Sequence, residues 1–173
     1  TVVEAAAIQG VAFAFKDAAH GFTAFDGDLG AYVRKEIQAK GLYAHDRMLV
    51  IGMRQITSNV RPIQKPDDLA NFKIRTPPGR LSLDLFRAFG ASPVPLNFSE
   101  LYTSLQTHVV DGEENSLNSI YQGRFFEVQK YLSLTSHQWS GFWLCGNLEA
   151  WNAIPRDLQA IVSRNFTTYA IQQ

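Results

Sequence analysis

The feature that most constrains this chain is a switch of hydrophobic period that recurs from Phe72 onward, where short β-like runs alternate with helical ones. "FKIR" predicts a strand, and "RLSLDLFRAFG" then places Leu81, Leu85, Phe86 and Phe89 on one helical face with Gly90 as a stop. "SPVPL" predicts a short strand whose prolines push it to a sheet edge or a strand start. "NFSELYTSLQT" predicts a second helix capped by Asn97 or Ser99, with Leu101 and Leu105 turned to the core. "HVVDGEEN" predicts a brief strand closing on Asp-Gly, "SLNSIYQGRFFEVQ" a third helix, and "KYLSLTS" the next strand. Three helices between four short strands form the pattern of α/β units with a largely parallel sheet.

The first third is less regular. "GVAFAF" alternates like a strand, and "KDAAHGFTAFDGDLGAYVRKEIQAKG" predicts helix, with a turn near Asp26 to Gly30 and a stop at Gly41. "RMLVIGMRQITSN" predicts a long strand carrying Arg54 in its second half, and "VRPIQKPDDLAN" a turn plus a short helix. After an apolar, aromatic stretch from Trp139 to Leu148, Pro155 opens a last helix with Leu158, Ile161 and Val162 expected to face inward.

At 173 residues the chain can form one ordinary domain or two small lobes with a real core. Sixteen basic residues balance sixteen acidic ones, so the overall charge favours neither nucleic acid nor an anionic membrane surface. Charged residues interrupt every apolar stretch well before the ~20 residues of a membrane span, so no direct membrane insertion is expected. The lone Cys145 excludes an internal disulfide and a cysteine-based zinc site. The chain opens "TVVEAAA" with no initiator Met, a start that export processing or truncation would leave.

No P-loop, no G-x-S-x-G elbow and no post-strand G-x-G-x-x-G is present, and the four histidines show no i, i+4 metal pair. No cofactor and no metal is therefore expected, and no nucleophile or base can be named. Asp111, Glu113 and Glu114 in "VVDGEEN" can be read as a general acid and base or, the reading preferred here, as carboxylates of a helix-start turn, where anions complement the helix dipole. Asn115, beside them, can cap that helix or touch a ligand. Arg75 stands at the end of "FKIR" and is followed at once by Pro-Pro-Gly. Strand ends of α/β proteins look into ligand crevices, and a guanidinium matches a carboxylate in two parallel hydrogen bonds, so Arg75 is either a ligand residue or a solvated charge. A ligand-shaped set follows: Arg75, Arg54, Asn115 and the aromatics Phe98, Trp139 and Trp143, each aromatic also explicable as core.

Three blocks, "RQITSNVRPIQKPDDLANFKIRTPP", "GASPVPLNFSELYTSLQTHVVDGEEN" and "FFEVQKYLSLTSH", strongly resemble the extracytoplasmic solute-binding proteins of tripartite ATP-independent periplasmic (TRAP) transporters, the DctP-like group. The resemblance runs from about Ile8 to about Phe166. It implies a periplasmic-binding-protein-like, type II-like α/β fold of two lobes around a mostly parallel mixed sheet, with the first lobe incomplete here. Residues 1–53 would be part of lobe I, 54–138 lobe II, and 139–173 the return strand to lobe I and the C-terminal helix.

The function so implied is non-enzymatic. A periplasmic receptor, exported by a signal peptide in the precursor, closes on an organic acid and delivers it to the TRAP membrane permease. The arginine of the K-I-R-x-P block, Arg75, would make the main carboxylate salt bridge. Arg54, from R-Q-x-T-S-N, would be a second arginine of the site, and Asn115, closing V-D-G-x-E-N, would also touch the carboxylate. Phe98 of F-S-E-x-Y resembles a pocket wall, and Trp139 and Trp143 lie in the return strand. Family members are longer at both ends, and "HDRMLVIGMRQ" lacks the aromatic-Asn-Gly wording common before the arginine block. A ligand-sensing module for a signalling partner and an α/β enzyme acting on organic acids are the alternatives.

Overall fold

The structure is a computed structural model that describes residues 3–172. By contacts it divides into two units. One comprises the chain up to Gln9, Phe15–Ile51 and the chain from Ser140 onward; the other comprises Gly10–Ala14 and Gly52–Trp139. Five strands form the sheet: β1 (Leu42–Ser58), β2 (Lys73–Thr76), β3 (Ser92–Pro95), β4 (Gly112–Ser116) and β5 (Tyr131–Asn147). The long β1 and β5 each run from one unit into the other.

The first unit holds α1 (Ala18–Asp26) and α2 (Asp28–Gln38), with α6 (Leu148–Ala153) and α7 (Arg156–Ile171) near the C-terminus. Asp17 caps α1 by accepting from the His20 amide at 2.8 Å, and Gly41 ends the α2 segment with φ +76°, a left-handed value that glycine adopts without penalty. Val33, Ile37 and Phe25 are buried there. Tyr43 stacks on Trp151 with ring centroids 4.1 Å apart, and His45 lies against both rings.

The second unit is the α/β repeat read in the sequence, with α3 (Arg80–Ala88), α4 (Phe98–Gln106) and α5 (Leu117–Gln122) between its strands. The strand order is β3-β2-β4-β1-β5, which puts the proline-bearing β3 at the edge and β4 in the middle. β2 runs parallel to β3 and β4, whereas β4 pairs antiparallel with β1, so the sheet is mixed. Side chains of successive strand residues point to opposite faces. Ile74 joins a cluster with Ile56, Ile63, Leu69, Phe72 and Phe86 on one face. Val94, directly across from Arg75, packs on the other face against Leu101, Leu105, Val110, Ile120 and Phe125. Each such side chain contributes about 1.5–3 kcal/mol by leaving water. Gln55 and Ser136 exchange two hydrogen bonds, of 2.8 and 3.2 Å, and tie β5 to β1 one residue before His137.

Three expectations change. "GVAFAF" is no strand: a 3-10 segment, Glu4–Gly10, passes into turns where Phe13 takes φ 58°, which breaks the alternation. In "HVVDGEEN" the strand begins where it was expected to close, at Gly112, so Glu113 and Glu114 are fully buried strand residues rather than turn carboxylates. Asp111 alone keeps a turn role, accepting from the Lys73 amide at 3.1 Å. Finally, Leu158, Ile161 and Val162 of α7 are 47, 45 and 43% exposed, because no described element covers that helix face.

Gly112 is a point of close backbone approach in β4. A Cβ there would collide with the Thr57 carbonyl oxygen and lie 2.6 Å from the Phe72 ring. Gly112→Ala should cost at least the about 1–3 kcal/mol typical of an overpacked core, read as a lower urea midpoint; an unchanged midpoint would show that the strand spacing is not fixed there.

Candidate functional site

The middle of the second unit's sheet carries four charged groups. Register sets their sides: β2 and β4 place Arg75 opposite Glu113, and β1 and β4 place Thr57 opposite Glu113, Ile56 opposite Glu114 and Gln55 opposite Asn115. Arg75, Thr57, Glu113 and Asn115 therefore share one face, while Arg54, Ile56 and Glu114 belong to the other.

On the second face Arg54 is committed to Glu114. Its Nε donates to Glu114 Oε2, and its Nη2 lies 2.9 Å from Oε1 and 2.7 Å from the Glu114 carbonyl oxygen. The same nitrogen reaches Asn115 Oδ1 at 3.1 Å. His137 Nε2 is 3.2 Å from Glu114 Oε2, and Thr135 Oγ1 is 2.8 Å from His137 Nδ1. A carboxylate only accepts, so Nε2 is the protonated ring nitrogen. Burial alone would raise the Glu114 pKa, but the Arg54 charge and the hydrogen bonds from His137 and Arg54 overcome it and hold the carboxyl below its ordinary value. Burial likewise pulls Arg54 down, and the charge and hydrogen bond of Glu114 more than offset it. Arg54, expected as a ligand arginine, is thus placed in an internal ion pair through its Nε and Nη2.

Arg75 differs. It is 2% exposed, and its Nε donates to the Leu96 carbonyl at 2.9 Å. Among the described residues it makes no ion pair, and its two terminal nitrogens donate to no described acceptor. Desolvation lowers its pKa, opposed by the charges of Glu114 and Glu113 and reinforced by Arg54. A cation removed from water without a hydrogen-bonded counter-ion is costly, so this fork is suited to receive an anion.

Asn115 stands beside it in a fixed orientation. Its Oδ1 accepts from Arg54, and its Nδ2 donates to Glu113 Oε2 at 2.6 Å, leaving the second N–H of the amide with no described acceptor. Glu113 is wholly buried and takes a further hydrogen bond from Thr57 Oγ1 at 2.8 Å. Burial pushes its pKa from 4.5 up to about 7, against the hydrogen bonds from Asn115 and Thr57; the Glu114 charge adds to the rise.

The segment after β3 brings in Phe98. Leu96 supplies the carbonyl that holds Arg75, and Phe98 opens α4 two residues later, 50% exposed with its ring 5.5 Å from that of Phe125. Glu100 fixes that helix start by accepting from the Asn97 amide at 3.1 Å. Trp139 is buried in the same unit. Trp143 belongs to the other unit, packed edge-on to Phe25 at 6.4 Å with the Arg34 guanidinium 5.5 Å from its ring centre. The structure therefore gathers Arg75, Arg54 and Asn115, adjoins Phe98 through Leu96, and adds Glu113, Glu114, His137 and Thr57, none of which sequence reasoning put in the site. The available signal was the pair of carboxylates directly before Asn115. Among the described residues no group of His, Cys, Asp or Glu is arranged to hold a metal ion.

A family model described as "Bacterial extracellular solute-binding protein, family 7" matches residues 1–173. The 2,3-diketo-L-gulonate-binding periplasmic protein YiaO of Escherichia coli is 36% identical over 157 residues, covering 88% of this chain and 47% of the relative. The sialic acid-binding periplasmic protein SiaP of Vibrio cholerae is 40% identical over 122 residues, covering 70% of this chain and 38% of the relative. The chain thus spans less than half the length of these curated relatives. Among solved structures, a TRAP periplasmic solute-binding protein of Sulfitobacter with bound β-D-galacturonate has a TM-score of 0.91 at 31% identity, over 94% of this chain and 54% of its own. A TRAP periplasmic solute-binding protein of Sulfurospirillum deleyianum with bound succinate has a TM-score of 0.90 at 33% identity, over 98% of this chain and 55% of its own.

Two outcomes follow from the charges. Glu114→Ala leaves Arg54 buried and unpaired and should cost about 3–5 kcal/mol in chemical denaturation; a loss under about 1 kcal/mol would mean that the pair is not closed in solution. Glu113 is held protonated in the fold above its unfolded pKa, so its stabilisation is complete below about 4.5 and is lost as pH rises to about 7. The parent should therefore lose on the order of 3 kcal/mol relative to Glu113→Gln over that interval. Parallel melting curves of the two proteins across it would contradict the assignment.

Proposed function

The chain belongs to family 7 of the bacterial extracellular solute-binding proteins, and from that membership we propose that it is the acid-capturing portion of a periplasmic receptor that hands an organic acid to a TRAP membrane permease. One observation carries the reading: Arg75 is a buried guanidinium that makes no ion pair among the described residues, while Arg54 is paired with Glu114.

A ligand carboxylate would take the two terminal nitrogens of Arg75 in a bidentate pair, and the remaining N–H of Asn115 would add a third donor. Charge-assisted bonds of this kind fix orientation as well as affinity. Phe98, half exposed at the start of α4, would cover the organic body. Since Arg54 and Glu114 cancel, Arg75 is the arginine of the site left without an ion pair among the described residues. That suits the single carboxylate of a sugar acid better than a dicarboxylate, in keeping with the galacturonate and diketogulonate named for two relatives. The role is binding and transfer with no chemical step, and the location that goes with it is the periplasm.

The test is calorimetric titration of the full-length protein with β-D-galacturonate, D-glucuronate, L-galactonate and succinate. Arg75→Ala should weaken the acid that binds by about a hundredfold or more, about 3 kcal/mol, without lowering the melting temperature of the ligand-free protein to the same degree. Equal affinity in parent and variant would remove Arg75 from the site.

A further inference from the structure

Glu113 is a carboxylate on the same sheet face as the candidate anchor for a carboxylate, and the ladder places it directly across from Arg75. Two like charges side by side in a dry site repel, so an arriving anion and an ionised Glu113 oppose one another. We propose that capture of an organic acid at Arg75 is coupled to uptake of one proton by Glu113, so that the site takes the anion together with a proton and holds it more tightly in mildly acidic surroundings. The inference rests on the reading of Arg75 as the carboxylate anchor.

Geometry prepares Glu113 for both states. Thr57 Oγ1, 2.8 Å from Oε1, is a hydroxyl that can donate to the carboxylate or, after rotating its proton, accept from the carboxyl without moving a heavy atom. Oε2 keeps the Asn115 amide at 2.6 Å in either state, so the asparagine donor stays aimed while the charge changes. The group is wholly buried and its pKa of about 7 lies within reach of ordinary surroundings.

The charged groups around it can be counted. β2 contributes Arg75; β1 contributes Arg54 with the uncharged Thr57; β4 contributes Glu114 and the uncharged Asn115. The helices packed on this face present the apolar Leu101 and Leu105 of α4 and Ile120 of α5. Arg54 and Glu114 neutralise each other. What remains is Arg75 against Glu113: net zero when Glu113 is ionised, and one positive charge, matching one carboxylate, when it is protonated. Protonation of Glu113 thus sets the affinity for an anion, and by linkage the anion raises the affinity of Glu113 for its proton.

The full-length protein is titrated with β-D-galacturonate, D-glucuronate, L-galactonate and succinate at about pH 6 and about pH 8, in phosphate and in Tris, whose ionisation enthalpies differ. With Glu113 titrating near 7, the bound acid should be held about tenfold more weakly at the higher pH, and proton uptake there should approach one per ligand. Glu113→Gln, uncharged at both values, should show an affinity that does not vary with pH and no proton exchange. A parent whose binding exchanges no protons in either buffer overturns the proposal, as does a pH dependence that survives Glu113→Gln. If that variant does not fold, the two-buffer measurement on the parent decides by itself. If none of the four acids binds at either pH, Arg75 is not the anchor and both readings fall together; if binding requires Arg75 and exchanges no proton, only this one does.

Discussion

Arg54 and Glu114 meet from neighbouring strands in the interior of the second unit, and the rest of the site depends on that ion pair. Removing two charges from water is repaid only when the geometry is close and the remaining polar atoms are bonded. Here the guanidinium grips both carboxylate oxygens and the backbone carbonyl, and His137 shares the oxygen that Arg54 Nε holds. The same guanidinium holds the Asn115 side-chain oxygen, which turns the amide nitrogen toward Glu113. A pair whose own charges cancel therefore aims the uncharged donor of the site and leaves Arg75, among the described residues, as the site's arginine without an ion pair.

Local order explains why the place of Arg75 near the end of β2 was legible in the sequence. Its strand, the Pro-Pro-Gly turn after it and the helix beyond it all lie within one short segment, and each is specified by near neighbours. The edge position of β3 was legible for the same reason, because proline forbids a central ladder. The partners of Arg54 were not legible: Glu114 is 60 positions away, and nothing between them signals which of two adjacent carboxylates would face it.

Glu113 and Glu114 were misread for a physical reason. Acidic residues are depleted in strands, and "DGEEN" carries every mark of a turn. Tertiary context overrode that preference because each carboxylate finds partners on β1, Thr57 for one and Arg54 for the other. "GVAFAF" fails in the opposite direction. Its alternation is that of a strand, but Phe13 adopts a left-handed backbone, its amide bonds to the His137 carbonyl at 2.9 Å, and no ladder forms. Alternation identifies a segment able to be a strand; whether it becomes one depends on a backbone that stays extended, which Phe13 at φ 58° does not.

The strands β1 and β5 run from one unit into the other, and this bears on the order in which a ribosome would complete them. Apart from the Gly10–Ala14 segment, the second unit described here lies between Gly52 and Trp139, so those residues are all present as soon as that stretch has emerged. The first unit has by then only its amino-terminal share and must wait for Ser140 and beyond. The buried charges around Arg75 can thus be assembled while the neighbouring unit is still unfinished on the nascent chain.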